Sequence, residues 1–413
     1  MTLTLCDNSG LLGDEKLSEL TEKNKPYLEA MLNGKDEFKD SAGWVEPGKQ
    51  AYLEECEWLG TIVRQNADVL VVIGVGGSNR AARAVYECLG SKSYVKIEWA
   101  GLNYSASEMN ALLRRLEGKS VYINVIAKNF KTLEPGLWFR VLRNWLRDEY
   151  GEEYSQRIIC TGTPGSDLNK LADDNDYYFL PFPENVCGRY SALTPVALFP
   201  LAVTGFNIRE MLGGATVMRM VLQKADNNPA LMLASARNYL YGNGFKLEML
   251  SFFEPSLERF SKWWVQMFAE SEGKNGKGLY PVVGSFTEDL HSIGQYIQQG
   301  EPILYEIFLN VMNPEDRQID STDIPDGFEY LDGKSLNDVN SAAFKATLAT
   351  HSERFPCLRI DVVSLDEFTF GELFYFFMFT CCLSAKILGV NPFDQPGVEG
   401  YKEKTIAGLK ANI

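Results

Sequence analysis

Histidine is the scarcest chemistry in this chain: among 413 residues there are two, His291 and His351. They lie far apart with no Asp or Cys cluster beside them. Eight cysteines are scattered at positions 6, 56, 88, 160, 187, 357, 381 and 382 with no C-x-x-C pair, so no zinc-ligand spacing exists and no metal is expected. Positive charge is also short, 40 Lys and Arg against 55 Asp and Glu for a net charge of -15. That balance excludes a basic nucleic-acid face, and any anionic substrate must be caught by local cations. There is no G-K-[ST] of a phosphate-binding P-loop, no low-complexity tract and no short-period repeat. The start, Met1-Thr-Leu-Thr-Leu-Cys-Asp-Asn, has no basic segment followed by an apolar one. The expectation is a cytoplasmic protein with buried, reduced thiols. The run Leu373–Ala385 is 13 residues between Glu372 and Lys386, shorter than the roughly 20 of a membrane span. It reads as a buried core helix.

What is present is ordinary globular composition, 45% hydrophobic and 23% charged, in a chain long enough for two core-bearing domains. Strands are expected at Val69–Ile73, Tyr94–Trp99, Val121–Ile126, Arg157–Thr161 and Tyr177–Leu180, the first four each followed by a helical pattern. In the first helix Ala82, Val85, Tyr86 and Leu89 recur at i, i+3, i+4 and i+7, which puts them on one face. Such alternation predicts a doubly wound, mostly parallel sheet. A second alternation begins near Lys246–Phe253, with helices near 256–270, 287–299, 335–350 and 367–388 and apolar runs at Ile303–Val311 and Cys357–Val363. The division expected is an N-terminal helical segment (1–55), a first α/β domain (56–190), a helical linker with a second α/β domain (191–388), and a C-terminal segment (389–413).

Six constellations can carry chemistry. Gly74-Val-Gly-Gly-Ser78 follows the first strand, a turn whose backbone N–H groups and helix end suit a phosphate, with Gly77 and Ser78 the binding positions. It is equally a tight turn needing glycine for conformation alone. Ala127-Lys-Asn-Phe-Lys-Thr-Leu-Glu-Pro135 follows the third strand; in open parallel sheets the two loops lie together, so Lys128, Lys131 and Thr132 are candidate phosphate partners, or equally part of a solvated basic loop. Arg189, in Cys187-Gly-Arg-Tyr-Ser191, could face a developing oxyanion, or pair with an acid such as Glu184.

The amphipathic stretch Ser256–Glu270 buries Leu257, Phe260, Trp264 and Met267/Phe268 on one stripe and runs into Glu270-Ser-Glu-Gly-Lys274. A carboxylate in the last turn of an apolar helix is expected to have a raised pKa, which suits a general base at a carbon beside a carbonyl. Glu272 competes for that role but is expected deeper in a polar loop. His291 borders the apolar face Leu290, Ile293, Ile297 of an expected helix; His351 reads as structural. Lastly, Asn391-Pro-Phe-Asp-Gln-Pro-Gly397 leads to Lys402, a turn able to aim the Gln395 amide and the Lys402 ammonium into one pocket.

Together Gly74–Ser78, Gly188–Ser191, Glu270–Lys274, Asp289-Leu-His-Ser-Ile-Gly-Gln-Tyr-Ile-Gln298 and Asn391–Lys402 resemble, in order and spacing over about residues 68–410, bacterial-type members of the glucose-6-phosphate isomerase family. The resemblance implies two sugar-isomerase (SIS) domains of flavodoxin-like topology, a homodimer, no cofactor, and interconversion of glucose 6-phosphate and fructose 6-phosphate in glycolysis and gluconeogenesis. It implies that Glu270 is the base moving a proton between C2 and C1 through a cis-enediolate, and that Arg189 stabilises that enediolate. By the same match His291, given across the dimer interface, and Lys402 assist ring opening, while Gln395, Gly77, Ser78, Lys128 and Thr132 bind substrate. The phosphate loop departs from the family pattern: Ala127 and Asn129 replace hydroxyl residues, and Phe130 and Lys131 fill its middle. Each lost neutral hydrogen bond costs on the order of 1 kcal/mol, a loss Lys131 and Arg80 are expected to offset by charge. Two other readings stay open, a non-catalytic sugar-phosphate sensor and an isomerase of another phosphosugar.

Overall fold

The computed structural model describes residues 1–33, 38–224 and 226–411; positions 34–37 of the N-terminal segment and 412–413 of the C-terminal one lie outside them. Its strands are β1 (Thr2–Cys6), β2 (Val69–Ile73), β3 (Lys96–Ala100), β4 (Val121–Ile126), β5 (Ile158–Gly162), β6 (Tyr178–Pro181), β7 (Leu247–Phe252), β8 (Tyr280–Ser285), β9 (Leu304–Val311) and β10 (Cys357–Val362). The unbroken apolar run of β2 shows why the first sheet is two-sided, since a strand without polar alternation needs cover on both faces. All five of its residues are buried. Val69, Val71 and Ile73 pack toward helices Ala106–Leu116 and Leu133–Tyr150, whereas Leu70 and Val72 point into the larger core shared with the rest of the chain.

That sheet is parallel throughout, with order β3-β2-β4-β5-β6. Counted from its own first strand this is 2-1-3-4-5, the flavodoxin-like order, with a switch point between β2 and β4. The expected strands are all present, displaced by a residue or two at their ends.

The second sheet has the order β1-β10-β9-β7-β8. Strands β7 to β10 repeat the 2-1-3-4 part of the same pattern in parallel. The fifth place is taken by β1, antiparallel, with Leu3 opposite Ile360. The N-terminal segment is therefore not only helical, a correction to the expected division. Thr2-Leu-Thr-Leu5 has the two-residue alternation of a half-solvated edge strand, and the structure leaves both threonines exposed. β8 also escaped the sequence reading because Pro281 and Gly284 interrupt it; at a sheet edge Pro is tolerated.

In the chain between the two sheets come Pro195–Val203, Ile208–Leu222 and Pro229–Gly242, the helical linker expected at the start of 191–388. The Glu367–Leu388 helix, 22 residues long, falls where the helical pattern placed it, and 89% of its most apolar stretch is buried inside the protein. It crosses Ile208–Leu222 at close range, because a Cβ on Gly214 or Gly371 would strike the opposite backbone. None of the eight cysteines forms a disulfide. Cys6, Cys88 and Cys187 are only partly buried, against the expectation for every thiol.

Candidate active site

After β2 the chain turns through Gly74–Ser78 into the Arg80–Leu89 helix. Gly76 sits at φ 60°, in the left-handed region where a side chain is strained. A Cβ on Gly77 would fall on the Gly188 carbonyl, so the glycine turn and the Gly188–Arg189 loop meet backbone to backbone. Ser191 Oγ donates to Gly188 O at 2.7 Å within its own loop and lies 3.4 Å from Gly77 O across the contact.

The loop after β4 lies beside this turn, because β2 and β4 are hydrogen-bonded neighbours. It holds Lys128 differently from the simple expectation of a free phosphate ligand. Lys128 Nζ donates to Glu184 O at 2.8 Å and Val186 O at 2.9 Å, and burial pulls its pKa below the usual lysine range. Two of its three donors thus tie this loop to the segment leading into Arg189. Lys131 and Thr132 are exposed. Thr132 is the N-cap of the Leu133–Tyr150 helix and makes no side-chain cap bond, leaving its hydroxyl at a positive helix end.

Arg189 is 3% exposed and every arm of its guanidinium is engaged. Nη1 lies 3.2 Å from Glu270 Oε1, Nε donates to Ser271 Oγ at 2.8 Å, and Nη2 donates to Pro392 O at 2.5 Å and Asp394 O at 2.9 Å. Its partner acid is Glu270, not Glu184. Burial works against its charge, but Cys187 and Glu270 outweigh burial and its pKa stands raised. The Asn-Pro-Phe-Asp segment is held by further cations: Lys274 Nζ donates to Asn391 O and pairs with Asp394 at 2.8 Å, and Lys277 Nζ donates to Leu388 O at 3.0 Å. A loop rich in turns is thereby fixed against the end of the helix that carries Glu270.

That helix, Glu258–Glu272, follows β7 and buries the expected stripe of Leu257, Phe260, Trp264, Met267 and Phe268. It continues two residues beyond Glu270, which corrects the placement of Glu272 in a polar loop. Residues two apart on a helix point roughly 200° from one another, so the two carboxylates face opposite ways. The Glu270 side chain is 25% exposed and accepts from Gln266 Nε2 at 2.9 Å. Glu272 is 1% exposed with Oε2 at 2.5 Å from Arg237 Nη2. Of the two, Glu270 faces Arg189, and its partner Gln266 approaches the glycine turn at Gly76. Arg80 adds a second positive charge: its Nη1 donates to Lys262 O on the same helix at 2.6 Å, and although burial lowers its pKa, Glu270 acts against that.

The remaining expected residues stand apart from this cluster. His291 ends a short Glu288–His291 turn, and the helix proper begins only at Gly294. Asp289 is the cause, since its carboxylate accepts from Ser285 N at 2.8 Å and Ser292 Oγ at 3.2 Å and bends the chain. The expected apolar face is correspondingly incomplete: Ile297 is buried, but Ile293 is 36% exposed and His291 lies in the open. His351 is 3% exposed with Nδ1 at 2.6 Å from Glu306, the structural role expected of it. Gln395 is exposed one residue beyond the Asp394 carbonyl that Arg189 holds. Lys402 lies on the exposed Glu399–Ala411 helix, paired with Glu399 at 2.9 Å; among the described residues no ion pair or hydrogen bond joins it to Glu270 or Arg189.

Sequence reasoning missed Gln266 and the buried partners of Glu272. Gln266 carried a usable signal, since it lies one helical turn before Glu270 on the same face.

The phosphoglucose isomerase family model matches residues 30–408. Curated glucose-6-phosphate isomerases of Bacillus cereus (strain AH187) and Bacillus cytotoxicus are each 39% identical to this chain over 419 aligned positions, covering 96% of it and 93% of the relative. In fold, the chain resembles a hypothetical protein of Thermus thermophilus with TM-score 0.90 at 24% identity, over 99% of this chain and 100% of that one. It also resembles a glucose-6-phosphate isomerase of Chlamydia trachomatis with TM-score 0.83 at 18% identity, over 100% and 89% of the two chains. With a family model spanning most of its length and such relatives along nearly all of it, the chain belongs to the phosphoglucose isomerase family.

Proposed function

We propose that this protein interconverts glucose 6-phosphate and fructose 6-phosphate, with Glu270 as the base. The observation that carries this reading is the Glu270–Arg189 pair, 3.2 Å apart, at the seam where the glycine turn of the first sheet meets the helix end of the second. In the open-chain aldose, the Glu270 carboxylate takes the proton from C2, the C–H electrons form the C1–C2 double bond, and the carbonyl oxygen takes up negative charge as a cis-enediolate. Arg189 stabilises that charge because its guanidinium is already oriented by Ser271, Pro392 and Asp394 and needs no rearrangement. Transfer of the O2 hydroxyl proton to O1 and return of the carbon-bound proton from Glu270 to C1, as the double-bond electrons re-form a carbonyl at C2, yield the ketose. Proton transfer by a positioned carboxylate contributes about 10²- to 10⁴-fold to the rate.

In this reading the phosphate sits at Gly77 and Ser78 with Thr132, and Lys128 shapes the cradle through the carbonyls it holds. Gln395 contacts the sugar. Lys402 and His291 serve ring opening, His291 from the other subunit of a homodimer. The exposure of His291, of Ile293 at 36% and of Tyr296 at 47% supports that arrangement, since apolar side chains clustered on a surface suit an interface. Eight thiols outside any disulfide fit a cytoplasmic site of action.

The test is a dehydrogenase-coupled assay of fructose 6-phosphate conversion, with Glu270→Gln beside the wild type and mannose 6-phosphate as a second substrate. Turnover lost in Glu270→Gln alone supports the reading. An inactive wild type that still binds the phosphosugar would make the protein a sensor, and faster turnover from mannose 6-phosphate would reassign its substrate.

A further inference from the structure

Behind Glu270 lies a set of charges that the chemistry above does not use. Arg237 is 1% exposed, with Nη2 at 2.5 Å from Glu272 Oε2, Nη1 against Glu248 Oε2, and Nε donating to Ser384 Oγ at 3.2 Å. Its guanidinium lies over the Phe268 ring at 3.9 Å. Tyr305 Oη donates to the other oxygen of Glu248. One cation thus serves two carboxylates, each no more than 1% exposed, and among the described residues Glu272 Oε1 has no hydrogen-bond partner. Charges removed from water this completely are costly before their mutual attraction is counted, and apolar groups of the same volume often serve stability as well. Stability alone is a weak account of the set.

Its position supplies a stronger one. Glu272 is the last residue of the helix, Ser271 before it accepts from Arg189 Nε, and Glu270 before that faces Arg189 Nη1. Helix ends fray, because their last carbonyls lack partners within the helix. Arg237 grips the terminal side chain from a separate helix, Pro229–Gly242. We propose that Arg237 and Glu272 are positioning residues for the base: their ion pair holds the final turn of the helix so that Glu270 and Ser271 meet Arg189. This rests on the reading of Glu270 as the base. Neither residue touches substrate.

A positioning role predicts an effect on turnover rather than on binding. Glu272→Ala leaves Arg237 with Glu248 as a one-to-one pair, so no buried cation is stranded. Its expected kcat, per folded molecule, is about 10- to 100-fold below wild type, the scale of an ångström-sized misplacement, with KM for fructose 6-phosphate unchanged. Glu272→Gln, which keeps the shape and one acceptor for Arg237, is expected to recover most of the loss. A wild-type kcat in Glu272→Ala, whatever its melting temperature, overturns the proposal, as does a rise in KM without a fall in kcat. Should Glu272→Ala not fold, Glu272→Asp, which withdraws the carboxylate by one methylene, is read by the same criterion: lower kcat at constant KM supports, wild-type kcat overturns. Glu270→Gln runs alongside. If it remains active, the base has been misassigned; if it is dead while the Glu272 variants turn over normally, the positioning role alone falls.

Discussion

The carboxyl edge of the first sheet and the helix end contributed by the second half of the chain meet at one seam, yet they are built on opposite principles. On the first side the working surface is backbone: a glycine turn with Gly76 in the left-handed region and Gly77 pressed on Gly188. On the other it is fixed charge, with Glu270, Lys274 and the Arg237 set held in ion pairs, and Arg189, from the loop after β6 of the first sheet, reaching across to Glu270. Backbone N–H groups at a helix start can receive a phosphate with little reorganisation. A proton-transfer site needs instead a carboxylate held still beside a cation. Each half supplies what its local structure makes cheaply.

The comparison breaks most severely at Glu270. Glu270→Gln keeps the shape and removes the carboxylate, so if Glu270 is the proposed base kcat in the coupled assay should fall by about 10²- to 10⁴-fold, with the melting temperature little changed because the side chain is partly exposed. Arg189→Met should come next, at about 10²- to 10³-fold. That variant also frees Pro392 O and Asp394 O, so amide exchange around residues 391–395 should accelerate, a change Glu270→Gln should not produce.

On the backbone side, Gly77→Ala places a methyl group on the Gly188 carbonyl. Overpacking of this kind costs about 1–3 kcal/mol, read as a lower urea midpoint at unchanged slope, and activity should fall with it because Arg189 follows Gly188. A midpoint equal to wild type would show that the two loops are not in contact.

The smallest effect lies away from the site. Burial opposes the charge of Glu367, but Lys92 at 2.6 Å and the Asn207 N–H at 3.0 Å hold its carboxyl below the usual range. A lowered folded value means the stabilisation is present above the ordinary carboxylate pKa and lost as pH falls through the folded one. Glu367→Gln should therefore be about 1 kcal/mol less stable than wild type at neutral pH, with the gap closing in acid. A gap that persists in acid would assign the loss to packing.

Where the signal was local, the sequence was readable. Apolar runs bounded by glycine turns placed all five strands of the first sheet, and the helical stripe from Leu257 to Phe268 placed the helix bearing Glu270. Thr2–Cys6 was overlooked although its alternation was visible, because an isolated edge strand has no partner nearby in sequence; β10 begins only at Cys357, near the other end of the chain. Glu272 was misplaced because the helix end depends on Arg237, a contact that no spacing reveals. The helix expected around His291 failed for a different reason: Asp289 competes for backbone and hydroxyl donors, as short acidic side chains do.

By itself the sequence determined the parallel two-sheet architecture, the family, and the residue types that can perform an isomerisation, because periodicity and short motifs are written in consecutive residues. Tertiary structure alone decided which of two neighbouring glutamates faces Arg189, that Lys128 spends its donors on backbone carbonyls, and that one arginine holds two buried carboxylates. Those outcomes depend on which groups distant segments bring into contact and remove from water, and desolvation is a property of the folded chain.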